Sequence, residues 1–172
     1  MKTKTLVSLS LLIGIGAALH FIVPGFFLGM KPDMMLLMMF LAITLFPAKK
    51  NVFIVALAAG AISAMTTTFP GGQIPNIIDK LATAFLFYLL FISLKKFSTS
   101  VVTVSILTAV GTLISGAVFL GSAYYIVSLP GPFVALFGAV VLPAVLLNTV
   151  AMVIIYPIVN GIVRKSNIPI NA

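Results

Sequence analysis

Long apolar runs, separated by proline, glycine and paired lysines, make up almost the whole chain. The runs have the length of helices and lack the strict alternation of apolar and polar residues that transmembrane β-strands show, so the pattern predicts α-helices. Turn residues end most runs, because proline and glycine interrupt helices. Six helices are predicted: Thr5–Val23, Met34–Phe46, Val52–Phe69, Ile77–Leu94, Val101–Leu129 and Phe133–Val163.

The composition indicates an integral membrane protein. Of the 172 residues, 62% are apolar and 7% are charged, whereas a soluble domain is about half apolar and about a quarter charged. Such a chain needs a bilayer as its solvent, where apolar side chains face lipid without cost. Cysteine is absent, which excludes disulfides and thiolate metal sites, and the scattered cations form no face for nucleic acid. We therefore expect an all-α integral membrane bundle of six transmembrane helices, a single domain over residues 1–172 with no cofactor and no metal.

Basic residues orient the predicted bundle. One side of a six-span arrangement carries eight of the ten cations: Lys2, Lys4, Lys49, Lys50, Lys95, Lys96, Arg164 and Lys165. The positive-inside rule predicts that this side, with both termini, is cytoplasmic. On this interpretation the first run is a span and not a signal peptide, since no secreted domain follows. The outer side carries Lys31 and Lys80, each close to one of the two acids, Asp33 and Asp79.

Helix capping explains the two acids but not the lysines near them. Asp33 falls where a helix dipole favours an anion, and Asn76 is a good N-cap with Asp79 placed as in a capping box. A cation near a helix N-terminus is unfavourable, so Lys31 and Lys80 each need an anionic partner. One option is an acid of the other outer loop, which pairs Asp33 with Lys80. That option also pairs Lys31 with Asp79. The other option is that the anionic partner is the carboxylate of a substrate.

The depth of the Asp79-Lys80 pair favours a substrate. From Leu81 to Leu94 there are 14 residues, about 21 Å of helix, which is short of the roughly 30 Å hydrocarbon core. Ionisable side chains at this depth are candidates for a functional site. An ammonium beside a carboxylate complements a zwitterion, with the lysine on the substrate carboxylate and the aspartate on its amine. The sequence therefore predicts an amino acid or a similar solute as ligand.

Other polar and aromatic residues are candidates for the same site. Asn148 lies near the middle of the sixth predicted helix, five residues after Pro143, and either bonds a neighbouring helix or contacts the substrate. Phe69 belongs to a group of phenylalanines at the outer helix ends. Single aromatic residues there are ordinary interface anchors, whereas several in one mouth form a wall for an apolar ring. His20 is interpreted as an interfacial or packing residue.

Small residues recur at four-residue spacing in two predicted helices. They are Ser10, Gly14 and Ala18 in the first, and Ala56, Gly60 and Ala64 in the third. Such stripes allow helix backbones to approach closely. Two interpretations stay open: packing inside the bundle, or docking of another membrane protein.

Four sequence strings carry a resemblance to a known family. They are MKPDMM (30–35), TTFPGGQIPNIIDK (67–80), VVLPAVLLNT (140–149) and IIYPIV (154–159), in order along nearly the whole chain. The chain resembles the bacterial tryptophan transport protein family (TrpP), which in turn is similar to the substrate-binding S components of energy-coupling factor (ECF) transporters. The resemblance implies an ECF S-component-like fold in the bacterial cell membrane. It also implies uptake of L-tryptophan from a pocket open to the outer face.

The resemblance also places the candidate residues and implies partners. Lys31 and Asp33 fall in a first outer loop, which acts as a gate in S components, Gln73, Asn76, Asp79 and Lys80 fall in the second outer loop, and Asn148 falls in the last helix. Their substrate-binding roles are inferred from charge and depth, and that of Phe69 from the aromatic group at the outer helix ends. The stripe of the first helix lies where S components dock the transmembrane T component, although Ser10 and Gly14 replace the usual alanines. A T component and the ATPases of an ECF-type module are therefore the implied partners, with membrane lipid around the bundle.

Other functional classes fit the sequence less well. No G-x-x-x-x-G-K-[ST] phosphate loop is present, so either a separate ATPase or a gradient drives transport. Two aspartates suggest a diaspartyl membrane protease, but each has a nearby lysine that holds it ionised. One histidine and no glutamate exclude an H-E-x-x-H zinc site. We expect no enzyme. The alternatives left open are a transporter of another small aromatic or vitamin-like solute and a membrane scaffold or assembly protein.

Overall fold

Six helices make up the part of the chain that the structure, a computed structural model, describes: residues 3–22, 33–94 and 100–166. They are α1 (Thr3–Ile22), α2 (Met34–Leu45), α3 (Lys49–Met65), α4 (Gln73–Leu94), α5 (Val101–Ile126) and α6 (Phe133–Lys165). Within α6, the turn Phe137–Val141 is π-helical. These ranges contain no strand, which confirms the all-helical prediction.

Four of the helices, α1, α4, α5 and α6, are long and apolar enough to cross a membrane. The apolar helix α2 has 12 residues, about 18 Å against a hydrocarbon core of roughly 30 Å. α3 has 17 residues and begins with Lys49 and Lys50. The chain is thus a multi-pass membrane protein, and the prediction of six spans stays a prediction for α2 and α3.

The loop between α3 and α4 comes earlier than predicted. α3 ends at Met65 and not at Phe69, because three threonines and Pro70 follow, and β-branched residues and proline disfavour a helix. α4 begins at Gln73 and takes Pro75 into its first turn, where no backbone N–H is needed. The other predicted boundaries lie within three residues of the observed ones.

α2 forms the centre of the bundle. Each of its 12 residues is buried, and the helix contacts all five others. A helix that is apolar on every side is typical of a fully buried element. Its one polar side chain, Thr44, donates its hydroxyl to the Phe40 carbonyl at 2.8 Å. Because α2 is enclosed, Asp33 just before its first residue is fixed inside the bundle.

α5 approaches α2 and α4 closely at Gly111. The rings of Phe40 and Phe87 stack with their centroids 4.0 Å apart. A Cβ atom added at Gly111 would lie 2.7 Å from Cζ of Phe40 and 2.9 Å from Cδ2 of Phe87. The contact therefore depends on a residue without a side chain.

We expect the substitution Gly111→Ala to lower the free energy of unfolding by about 1–3 kcal/mol, the usual cost of overpacking a core. Thermal unfolding of the detergent-solubilised protein measures this loss. Gly121→Ala on the same helix is the matched control, because a Cβ atom there meets nothing within 4 Å. Equal stability of the two variants would contradict the close approach.

Candidate functional site

A cavity of about 300 Å³ lies at one end of the bundle, where all six helices contribute to its wall. Its size is at the lower end of the range of about 300–1,000 Å³ that is typical of small-molecule sites. The polar part of the wall consists of His20, Asp33, Ser63, Thr66, Thr67, Thr68, Asn76, Asp79, Lys80, Thr112, Ser115 and Asn148. The remaining wall residues are Leu36, Phe69, Gly116, Phe119, Leu120, Leu136, Val140, Val141 and Ala144.

Lys80 lies between two carboxylates on this wall. Its Nζ atom is 2.9 Å from Oδ2 of Asp33 and 2.9 Å from Oδ2 of Asp79. The side chain of Lys80 is 2% exposed, that of Asp79 is 1% exposed, and that of Asp33 is 32% exposed. A buried ammonium needs such partners, because an unpaired charge in an apolar environment is very costly. We call these three residues the ion cluster; with all three ionised, it has one excess negative charge.

The two carboxylates differ in their hydrogen-bond partners and in how far a ligand can reach them. Besides the Lys80 ammonium, Asp79 accepts hydrogen bonds from the hydroxyls of Thr83 at 2.8 Å and Ser115 at 2.9 Å. Asp33 accepts from Lys80 and, as the N-cap of α2, from the backbone N–H of Leu36 at 2.9 Å. Since only Asp33 of the two is appreciably exposed, it is the carboxylate that a ligand in the cavity can reach.

Asn148 joins three helices at the ion cluster. Its Oδ1 atom accepts a hydrogen bond from the backbone N–H of Asp33 at 2.8 Å, and its Nδ2 atom donates to Oγ1 of Thr112 at 3.2 Å. The side chain is fully buried. Of the two predicted roles, bonding to neighbouring helices is thus present, and the residue also lines the cavity.

The apolar part of the wall contains an aromatic pair. Phe69, from the loop after α3, and Phe119 of α5 pack edge to face, with ring centroids 5.3 Å apart. Aromatic side chains in this arrangement present both a ring face and a ring edge, which suits contact with another ring.

α6 contributes its π-helical turn to the same wall. Val140 and Val141 belong to this turn, and Leu136 precedes it. Pro143 has no N–H to donate to the Ala139 carbonyl, so the helix loses one ladder hydrogen bond here. π-helical turns occur frequently at functional sites.

Most of the predicted binding residues meet in the cavity. Its wall includes Asp33, Phe69, Asn76, Asp79, Lys80 and Asn148. Of the two options for the partner of Lys80, an acid of the other loop and a substrate carboxylate, the structure shows the first, with Asp33. Gln73 is exposed at the start of α4 and is not part of the cavity wall. Lys31 lies outside the described residues, and so does its predicted pair with Asp79.

The predicted capping role of Asn76 and Asp79 is wrong. α4 begins at Gln73, before Asn76, and the Nδ2 atom of Asn76 donates to the Gly72 carbonyl at 2.8 Å. Asp79 lies in the second turn, where its carboxylate bonds side chains. The prediction failed because Pro75 was taken to precede the helix, whereas the first turn accommodates it.

The two stripes of small residues have different surroundings. The stripe of α3 is buried: Ala56, Gly60 and Ala64. A Cβ atom at Gly60 would lie 3.4 Å from the Cα atom of Ile77, so this stripe packs inside the bundle. The stripe of α1 is exposed: Ser10, Gly14 and Ala18.

Sequence reasoning missed a polar face of α5. Thr108, Thr112 and Ser115 follow one another at spacings of four and three residues and are all buried. Thr112 and Ser115 line the cavity. Polar residues at the helical period in an otherwise apolar helix are the signal that could have found them.

Comparison with known proteins gives a consistent result. Residues 2–164 match the model of a family described as "Tryptophan transporter TrpP". A "Probable tryptophan transport protein" of Bacillus subtilis (strain 168) is 58% identical over 97% of this chain and 96% of that protein. Proteins with the same name from Clostridium acetobutylicum and Clostridium perfringens are 44% and 40% identical, over at least 95% of each chain. No solved structure matches, so the S-component-like fold stays a prediction.

We expect Lys80→Met to lower the free energy of unfolding by about 3–5 kcal/mol, because it leaves two carboxylates without their cation. Thermal unfolding in detergent gives the size of the loss. Adding Asp79→Asn to this variant should restore part of the stability, since residues of one ionic network are coupled. Strictly additive losses in the double variant would be evidence against the ion cluster.

Proposed function

This chain belongs to the family of the tryptophan transporter TrpP, and on that premise we propose that it takes up L-tryptophan by binding it in the cavity. One observation carries the proposal. The same cavity has a carboxylate within reach of a ligand and a wall of aromatic and aliphatic side chains. An aromatic amino acid is complementary to both.

The substrate ammonium binds to Asp33 in this proposal. With all three side chains ionised, the ion cluster has one excess negative charge, and the Asp33 carboxylate is its exposed part. Lys80 is not a free cation for the substrate carboxylate, because two carboxylates of the protein hold two of the three N–H donors of its ammonium and balance its charge. Its role is to keep both acids ionised and in place at a depth where a lone carboxylate would be very costly.

The indole ring packs against the apolar wall. Phe69 and Phe119 supply aromatic contacts, and Leu136, Val140 and Val141 supply aliphatic ones. Removing roughly 200 Å² of ring surface from water is worth about 5 kcal/mol. This term favours tryptophan over amino acids with small or polar side chains.

The distribution of cations supports a cavity that opens to the outer face. Lys4, Lys49 and Lys50 lie in the first turns of α1 and α3, and Arg164 and Lys165 end α6. These helix ends are opposite to the ends that form the cavity. By the positive-inside rule the basic end, and with it both termini, is cytoplasmic in the bacterial cell membrane.

The absence of tryptophan from the chain allows a direct binding experiment. Indole fluorescence in a solution of the purified protein comes only from the ligand. We expect a saturable blue shift of the emission when L-tryptophan is titrated into the detergent-solubilised protein. Emission unchanged from that of indole in water would contradict the proposal, and it is the result expected of a membrane scaffold.

We expect Asp33→Asn to weaken L-tryptophan binding at least about 30-fold, because truncating one partner of a buried, hydrogen-bonded charge pair costs about 2 kcal/mol or more. Asparagine is also a good N-cap, so α2 keeps its start. Fluorescence titration measures the affinity. Indole-3-propionate, which has no amine, is the control ligand and should not bind more weakly to the variant. An equal loss for both ligands would refute the assignment of the amine to Asp33.

Energy for uptake comes from other subunits in this proposal. The chain has no phosphate loop, so we propose that a T component with its ATPases, of the ECF type, drives it. The exposed stripe Ser10, Gly14 and Ala18 on α1 is a row of small side chains beside larger exposed ones such as Val7 and Leu11, and such a row permits close docking of a partner helix.

We expect Gly14→Leu to lower cellular uptake of L-tryptophan by about tenfold or more while leaving its affinity for purified protein unchanged, because a bulky residue overpacks the proposed helix contact. A Cβ atom at Gly14 meets nothing within 4 Å, so the fold should tolerate the change. Gly161→Leu on α6 is the matched control, since its Cβ atom is equally unobstructed. Normal uptake by the Gly14 variant would exclude docking on this stripe.

A further inference from the structure

We propose that the hydroxyl of Ser63 binds the carboxylate of the amino acid substrate. This inference rests on the proposed function and identifies how the same site recognises the second charged group of the ligand. The substrate carboxylate lies beside Asp33, where the ion cluster with all three side chains ionised is negative, so it needs hydrogen-bond donors from elsewhere on the wall.

Ser63 has an unused donor inside the cavity wall. Its side chain is 5% exposed and lines the cavity, and its Oγ atom has no hydrogen-bond partner among the described residues. Hydroxyls in membrane helices usually donate to the carbonyl four residues earlier, as those of Thr44 and Thr108 do. A buried hydroxyl without a partner is costly, so its presence on a cavity wall points to a ligand that completes it.

Ser63 lines the same cavity as the ion cluster, on the helix face that contacts Lys80. A Cβ atom at Gly60 would lie 3.6 Å from Cβ of Lys80. Ser63 follows Gly60 by three residues and therefore lies on the same face of α3, one turn nearer to the loop. Since the amine and the carboxylate of an α-amino acid share one carbon atom, their protein partners must be neighbours. Asp33 bonds Lys80, and the Gly60 position contacts Lys80. Ser63 lies one turn from Gly60, so Asp33 and Ser63 line one wall of the cavity.

The other hydroxyls at this end of α3 differ in whether they have a proton to donate to the substrate carboxylate. Thr66 donates its proton to the Ile62 carbonyl at 2.8 Å, so it has none for a carboxylate. Thr67 accepts from the backbone N–H of Phe69 at 3.2 Å, which leaves its own proton available. Ser63 is thus the buried donor and Thr67 a second donor at the loop, and bonds from hydroxyls to a carboxylate are of the strong, charge-assisted kind.

The test compares two ligands on three proteins. The ligands are L-tryptophan and tryptamine, which has the same indole and amine but no carboxylate. The proteins are the wild type, Ser63→Ala and Ser105→Ala. Ser105 is a matched control, because its hydroxyl is likewise buried without a partner among the described residues but is not part of the cavity wall. Affinities come from ligand fluorescence in detergent.

We expect Ser63→Ala to weaken L-tryptophan binding about tenfold and tryptamine binding by less than about twofold, since a hydrogen bond to a charged group is lost only with the first ligand. Ser105→Ala should change neither affinity. Ser63→Thr, which keeps a hydroxyl, should retain the wild-type ratio of the two affinities.

Three results would overturn the inference: an equal loss for both ligands in Ser63→Ala, no loss for either, or the same loss of L-tryptophan binding in Ser105→Ala. Failure of the proposed function gives a different result, because the wild-type protein would then bind no L-tryptophan. An inactive Ser63→Ala protein that binds neither ligand counts as an equal loss and indicates a structural role.

Discussion

The ammonium of Lys80 is buried where water does not solvate it, and this constraint fixes how the helices are arranged. Two carboxylates must come within bonding distance, one from the start of α2 and one from α4 itself. Ser115 of α5 bonds the second carboxylate, and Asn148 of α6 bonds the backbone beside the first. Lipid is as apolar as the helix side chains, so transmembrane helices associate through close packing and hydrogen bonds and not through the hydrophobic effect. The directional bonds of this network link four helices and favour one register among them.

The same network separates stability from binding. Asp79 lines the cavity but is 1% exposed and accepts hydrogen bonds from three side chains, whereas Asp33 accepts from fewer side chains and remains partly exposed. One acid therefore balances the buried cation, and the other is available to a ligand. A single aspartate could not do both without leaving either Lys80 or the bound amine short of a partner. Because Asp79 balances Lys80 and Asp33 is left for a ligand, the chain holds three of its few charged side chains together, with both acids within hydrogen-bonding distance of Lys80.

Much of this was accessible from the sequence, and the rest has physical reasons for being hidden. The apolar runs predicted the helices. The position of Lys80 near a helix start predicted an anionic partner, because an unpaired cation is unfavourable there, but the sequence left open whether that partner is Asp33 or a substrate carboxylate. The start of α4 was misjudged, since a proline fits the first turn as well as the turn before it. Ser63 carries no pattern at all. Its importance comes from a missing hydrogen bond, which depends on rotamers and neighbours that no single sequence specifies.

The π-helical turn of α6 changes the direction in which the residues after it point. Each residue of an α-helix advances by about 100°, so over the 12 steps from Leu136 to Asn148 the two side chains would end up about 120° apart. A π-helical turn contains one extra residue, so the rotation about the helix axis corresponds to about 11 steps and the angle between the two side chains falls to about 20°. Leu136 and Asn148 accordingly line the same cavity. The same rotation turns a row of buried residues inward: Asn148, Met152 and Tyr156. A one-residue deletion in the turn would rotate the whole row toward lipid, so the polarity of the cavity depends on the length of this segment as much as on its composition.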